Sequence, residues 1–289
     1  MDNDPAPTWM KFVPFLGYHH VLMICLTVGI ALQSINTAGC TTSNNLPNIY
    51  ILSLSYLPSA TKPPPSNIQL NPNISTTFST IASTHSQLEV RVSYLGICIS
   101  QVTSQWLCAH DALTLSNLIK LYGGPASGEH DPLNLIWIGG RFKDAVLFPG
   151  LLLTAIPFAF VATLLLATFP GWHEEEDVAS DEKEVKPFPS RPISYLVLAI
   201  VLAASLFSVI SIFVQHVASA TGSTMVEALS YGTAKAKVGT AAMILGWVGA
   251  CAYIVVAVGV WIMIRSIEVL SGMFKTRTPN HPESEPLQE

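Results

Sequence analysis

The chain has 289 residues, 50% of them hydrophobic and 11% charged, with a formal net charge of −5. Soluble domains carry roughly a quarter charged residues, so this composition excludes an ordinary soluble globule. No basic patch marks a nucleic-acid surface, and nucleic acid is excluded as a partner.

The charge deficit is concentrated in four apolar stretches, 12–32, 145–169, 193–214 and 240–264, none of which contains Asp, Glu, Lys or Arg. A membrane helix needs about 20 such residues to cover the hydrocarbon core. Hydrocarbon offers no partner for bare peptide groups, so the stretches are expected to be helices. The first could instead be a cleaved signal peptide. Its length, its single positive flank (Lys11) and the Tyr18, His19 and His20 within it favour a retained helix. His19 and His20 lie near the expected cytoplasmic end, where headgroup contact suits them.

These spans divide the chain in order. An N-terminal segment (1–11) precedes a first membrane helix (12–35) and a large loop domain (36–144). A second helix (145–169), an acidic loop (170–192) and a third helix (193–215) follow. A short loop (216–239), a fourth helix (240–264) and a tail (265–289) complete the chain. The acidic loop has net charge −4. Anionic lipid would repel it, so it reads as a solvating linker.

Within the large loop, 48–57 alternates with period two and reads as a strand. Residues 61–86 are dominated by Pro, Ser, Thr and Asn and read as a flexible excursion. That excursion contains Asn73-Ile74-Ser75, a glycosylation acceptor. A second strand is expected over 88–100, a turn at 101–104 and a short third strand at 105–109. Cys98 and Cys108 would then face each other across a hairpin and form a disulfide. Asp111 is placed to cap a helix over 112–122, which Gly123-Gly124 would end.

Catalytic chemistry finds little foothold. His110-Asp111 and His130-Asp131, with Glu129 beside the second, follow no known metal-ligand spacing and read as solvated loop polars. No Ser or Cys nucleophile motif occurs. No carboxylate lies inside an apolar stretch to line an ion path. Gln215 and His216 are the nearest polar cluster. Small residues form stripes expected to pack the bundle: Ala242, Gly246, Gly249, Ala250 and Ala257 in the fourth helix, and Ala199, Ala203, Ala204 and Ser208 in the third. Cys25 and Cys251 read as inert hydrophobes, and Cys40 is left over in the large loop.

Basic residues divide equally between the two sides, and Arg141 and Lys143 oppose an outward large loop. The cysteine pair needs an oxidising compartment. Together with the Asn73 acceptor, it puts 36–144 outside and both termini in the cytosol.

Four crossings, a large first loop and a paired-cysteine hairpin resemble the claudin-like tetraspan superfamily, although the claudin Gly-Leu-Trp before the first cysteine is absent. The segment Ser93-Tyr94-Leu95-Gly96-Ile97-Cys98, followed by Cys108, is similar to the fungal mating-induced calcium regulator and membrane fusion family. Its signature is Gly, two hydrophobics, Gly, any residue, Cys, then a second Cys. Tyr94, Leu95, Gly96, Cys98 and Cys108 fit, and Ser93 stands where the first glycine belongs. The resemblance implies a membrane α protein with a small extracellular β-sheet on a claudin-like four-transmembrane-helix bundle. It further implies a non-enzymatic plasma-membrane protein of the mating tip that assists calcium uptake and membrane fusion, without a cofactor. Its partners would be membrane lipid and a membrane protein, either a calcium channel or a fusion partner, and a homo-oligomer is compatible with it. The competing readings are a claudin-type adhesion or scaffolding protein and an accessory subunit of a channel or transporter.

Overall fold

In the computed structural model each of the four apolar stretches holds a long helix. The structure describes residues 18–44, 46–57, 76–77, 80, 88–100, 106–122, 134–169, 174–175, 184–185, 191–230 and 232–277. Helices α1 (Tyr18–Thr37), α4 (Gly150–Ala167), α5 (Arg191–Leu229) and α6 (Thr240–Arg277) are each long and apolar enough to cross a membrane. The chain is therefore a multi-pass membrane protein. Two shorter helices, α2 (Ala112–Tyr122) and α3 (Leu135–Val146), lie between the sheet strands and α4. Asn73, most of 61–86, Gly123-Gly124 and the Glu129–Asp131 cluster lie outside the described residues.

The bundle packs as small-residue stripes dictate. A Cβ on Gly29 of α1 would come within 2.6 Å of the Tyr253 ring of α6, and one on Gly246 within 2.7 Å of Ile212. Backbones approach that closely only where a side chain is missing. Ala242, Ala250 and Ala257 are buried, as are Ala204 and Ser208. Ala199 is exposed and does not belong to the stripe, whose N-terminal end is formed by the buried Val197 and Val201.

The outer unit is a five-stranded antiparallel sheet in the order β4-β3-β2-β1-β7. Its strands are β1 (Leu52–Tyr56), β2 (Glu89–Val92), β3 (Ile97–Ser100), β4 (Trp106–Ala109) and β7 (Ala234–Val238). Two further strands, β5 (Glu174–Glu175) and β6 (Glu184–Val185), pair within the acidic loop. The single strand expected over 88–100 is two strands, because the chain reverses at Ser93–Gly96 and Val92 pairs with Ile97. The reversal is closed by the Ser93 amide donating to the Gly96 carbonyl at 2.9 Å.

The segment 216–239 is not a loop throughout. Helix α5 runs through it to Leu229, and β7 pairs with β1, Leu52 opposite Val238 and Tyr56 opposite Ala234. Gly232, at φ 76°, turns the chain between the two through a left-handed conformation that suits glycine.

Sheet alternation puts Leu52, Leu54, Val90, Val92, Ile97 and Ile99 on one face, all buried. They form one core with Leu115 of α2, Leu135 of α3, and Leu152, Ile212 and Ala242 at the sheet-side ends of the bundle. A second core fills the bundle itself, around Leu26, Ala159, Val201 and Tyr253.

Candidate functional site: the motif turn and its seam with the bundle

The residues that carried the resemblance form the β2–β3 turn and the second rung of the next hairpin. Cys98 pairs with Cys108 in register across β3 and β4, and the two are joined by a disulfide with a Cα–Cα separation of 4.0 Å. This rung faces away from the sheet's apolar core. The turn that follows α1 clasps it there. The Ser43 hydroxyl accepts from the Cys108 amide at 3.3 Å, and the Cys40 carbonyl lies 3.5 Å from Cys98 Sγ.

Gly96 is required by close approach: a Cβ there would collide with the carbonyl of Cys40. Cys40 itself adopts φ 56°, holding that carbonyl over the turn. Ser93, in place of the signature's first glycine, is fully buried. Its hydroxymethyl group lies over Gly39, and a Cβ on Gly39 would be 3.1 Å from Ser93 Cβ. The room one glycine would have left is thus supplied by another.

Cys40 is unpaired and buried, with its thiol 3.5 Å from the Ile49 carbonyl. Burial pushes the thiol up to about 12, against a smaller opposite pull from Arg91. It is neither a nucleophile nor a ready bridging partner at neutral pH.

Tyr94 points from the turn into the bundle. Its phenol donates to Gln215 Oε1 at 3.0 Å and lies 3.3 Å from Ser211 Oγ, both on α5. Burial holds the phenol up at about 12, so it remains a donor. The Asn36 amide of α1 donates to the same Gln215 oxygen at 3.2 Å. Three residues earlier on α1, Gln33 donates to Ser208 Oγ at 2.8 Å and to the Gly246 carbonyl of α6 at 3.0 Å. Gln33, Asn36 and Ser208 are all 0% exposed. A polar seam therefore runs from the motif turn down between α1, α5 and α6. Sequence reasoning found Gln215 but missed Gln33 and Asn36. Their spacing of three at the end of an apolar helix was the available signal.

The sheet's outer face is clamped as well. The Arg91 guanidinium lies 4.0 Å from the Trp106 ring centroid and 4.7 Å from that of Tyr50. It pairs with Glu89 at 2.9 Å and donates to the Pro47 carbonyl and Asn48 Oδ1. Glu89 also accepts from Ser53 Oγ at 2.7 Å. Glu89 and Arg91 thus belong to a half-buried brace rather than to a freely solvated strand face.

His110 and Asp111 are both engaged with local groups. His110 Nδ1 is 2.6 Å from the Leu95 carbonyl. Asp111 caps α2 by accepting from the Thr114 amide at 2.7 Å and its hydroxyl at 2.8 Å, which hold the carboxyl below its usual range. His19 and His20 sit at the start of α1 with ring centroids 4.0 Å apart. Among the described residues, no three His, Cys, Asp or Glu side chains gather to hold a metal ion.

No curated protein matches the chain. The protein-family model described as Ca2+ regulator and membrane fusion protein Fig1 matches residues 74–266. That span contains the motif turn, the disulfide hairpin, α4, α5, β7 and most of α6. It covers well over half of the sequence, and the chain belongs to the Fig1 family of Ca2+ regulators and membrane fusion proteins.

Proposed function

We propose that this protein is a non-enzymatic regulator of calcium uptake and of plasma-membrane fusion between mating fungal cells, located at the mating tip. The observation that carries the reading is the family match over 74–266, which includes both the motif turn and the spans beneath it. The braced sheet is the part offered to a partner, either a calcium channel beside it or a fusion partner on the opposing membrane. Tyr94, Leu95 and Gly96 act by fixing the sheet on the bundle, and the Cys98–Cys108 bond by stapling its edge. The sheet lies outside the cell and both termini in the cytosol, a reading supported by a disulfide that needs an oxidising compartment. Asn73 is then available for glycosylation. A claudin-like arrangement of the bundle and self-association of the chain are part of the same reading.

The test is deletion of the gene, with tracer calcium influx and cell fusion scored together after a mating stimulus. Loss of both supports the reading. Normal influx with reduced adhesion would favour the claudin-type scaffold instead, and current from purified protein in bilayers would favour a channel subunit. External protease on intact cells should clip the 61–86 segment and spare a C-terminal tag. Cleavage of that tag would reverse the orientation.

A further inference from the structure

Helix α3 has one face it cannot give up and one face that no described residue covers. Gly139 and Gly140 press it onto its neighbours: a Cβ at Gly139 would lie 2.9 Å from Val92 Cγ2, and one at Gly140 would lie 2.8 Å from Ala112 Cβ. Leu135 and Leu147 are buried on the same side. The rotation of the helix is therefore fixed. Its opposite side shows Trp137, Ile138, Arg141 and Ala145, continued beyond the helix by Phe148. Trp137 is 50% and Phe148 63% exposed. The Arg141 guanidinium lies 5.1 Å from the Trp137 ring centroid.

The height of this stripe follows from what the buried face touches. A Cβ on Gly139 would also contact Ile97, and Val92 and Ile97 flank the turn that lowers Tyr94 onto Ser211 and Gln215. Leu147 joins the core that contains Leu152 and Ile212 of the bundle. The membrane-spanning α4 begins at Gly150, directly after the Leu147–Pro149 connection. The helix thus lies at the membrane-side end of the sheet and runs into a span whose own Leu153, Phe160 and Leu164 are exposed.

We propose that α3 is an interfacial helix, with its Trp137–Phe148 stripe seated in the lipid headgroup and acyl boundary of the leaflet on the sheet's side. The chemistry fits that occupant. Tryptophan and phenylalanine settle at the boundary between apolar tails and headgroups, and an arginine beside them extends its charged end to lipid phosphate. Lys143 is paired with Asp144 at 3.5 Å, so Arg141 is the unpaired charge of the stripe among the described residues. The sheet would thereby be held against the bilayer surface itself as well as by its bonds to the bundle.

The experiment uses the full chain in nanodiscs of phosphatidylcholine and phosphatidylglycerol, with Cys25→Ala and Cys251→Ala and with Cys40 left buried. Nitroxide is attached at Ile138→Cys, Phe148→Cys or, as a water-facing control, Lys235→Cys on β7. Collision with a water-soluble nickel chelate should be several-fold lower at 138 and 148 than at 235, and collision with oxygen higher. Nickel collision at 138 and 148 equal to that at 235 would overturn the proposal, as would exclusion of both probes there, which would indicate a protein partner. If a labelled variant loses the Cys98–Cys108 bond, Trp137→Phe replaces it. The difference in emission between the unaltered chain and that variant should be quenched by brominated phosphatidylcholine, and an unquenched difference would overturn the proposal equally. Neither readout depends on calcium uptake or fusion.

Discussion

Replacing Tyr94 by Phe removes one hydroxyl and leaves the ring, so it isolates the bond between the sheet and α5. The magnitude follows from what each partner retains. Gln215 Oε1 keeps the Asn36 amide at 3.2 Å, so no acceptor is stranded, and the loss is that of one net hydrogen bond, about 1 kcal/mol. Gln215→Leu is harsher: it strands the Asn36 amide in a buried seam, at roughly 1–3 kcal/mol, and leaves the Tyr94 hydroxyl only the 3.3 Å contact with Ser211 Oγ. In the double variant the Tyr94 change removes a hydroxyl that has already lost its bond to Gln215, so its cost largely disappears. The cycle should therefore show a coupling of about 1 kcal/mol. Unfolding of the purified chain in mixed micelles titrated with SDS measures all four corners. Additivity within about 0.5 kcal/mol would refute the claim that this bond joins sheet to bundle. The effect also has a defined pH window. The folded phenol is held up at about 12 against an ordinary 10, so its contribution is whole below pH 10 and is lost as pH rises from 10 towards 12.

Other expectations follow from the same geometry. Cys98→Ser with Cys108→Ser opens a loop with sequence separation 10, at a cost of about 2.7 kcal/mol by loop-closure entropy. The outer unit should become protease-sensitive while the four spans stay in the membrane, and unchanged proteolysis would count against the staple. Cys40 should resist iodoacetamide in the folded chain at pH 8 and react fully after unfolding, read by peptide mapping under non-reducing conditions. Asp111→Ala should fray α2, read as faster amide exchange over Ala112–Leu115. Because hydrogen bonds hold the Asp111 carboxyl below its ordinary value, its support is present above pH 3.8 and is lost as pH falls through the lowered value. Exchange in the unaltered chain should therefore rise only in that acid range.

The spans, the cysteine hairpin and the capped helix over 112–122 were legible because each rests on local chemistry: long apolar runs, a ten-residue cysteine spacing, and an Asp before an apolar-periodic segment. The reversal at Ser93–Gly96 was not. It carries no Asn-Gly or Pro-Gly signal, and its need for glycine comes from the Cys40 carbonyl, a tertiary neighbour far away in the chain. The outer part of α5 was hidden by composition. Its Ser, Thr, Ala and Gly read as loop, yet a Cβ on Gly222 would come within 2.8 Å of the Phe142 ring and Val226 packs on the sheet core. Tertiary packing overrides weak local propensity in such a segment. Strand β7 did leave a trace, since Ala234, Ala236 and Val238 alternate with Lys235 and Lys237. Without a visible partner strand, five residues of alternation could not be told from a charged connection.

The length of α5 changes how the outer unit can move. Its 39 residues extend about 58 Å, whereas the hydrocarbon core takes about 30 Å. Nearly half of the helix therefore stands outside the bilayer, and it holds the sheet twice. Near the membrane it receives Tyr94 through Gln215, and at its far end it continues through the Gly232 turn into β7. These two attachments differ greatly in strength. The β1–β7 ladder joins Leu52–Tyr56 to Ala234–Val238 along the whole strand, while the Tyr94 contact rests on one donated bond and a ring. Separation of the sheet from the bundle should then begin at the motif turn and pivot about β7, because unzipping a ladder costs several bonds and releasing Tyr94 costs one. The residues that carry the family resemblance thus occupy the weaker of the two joints.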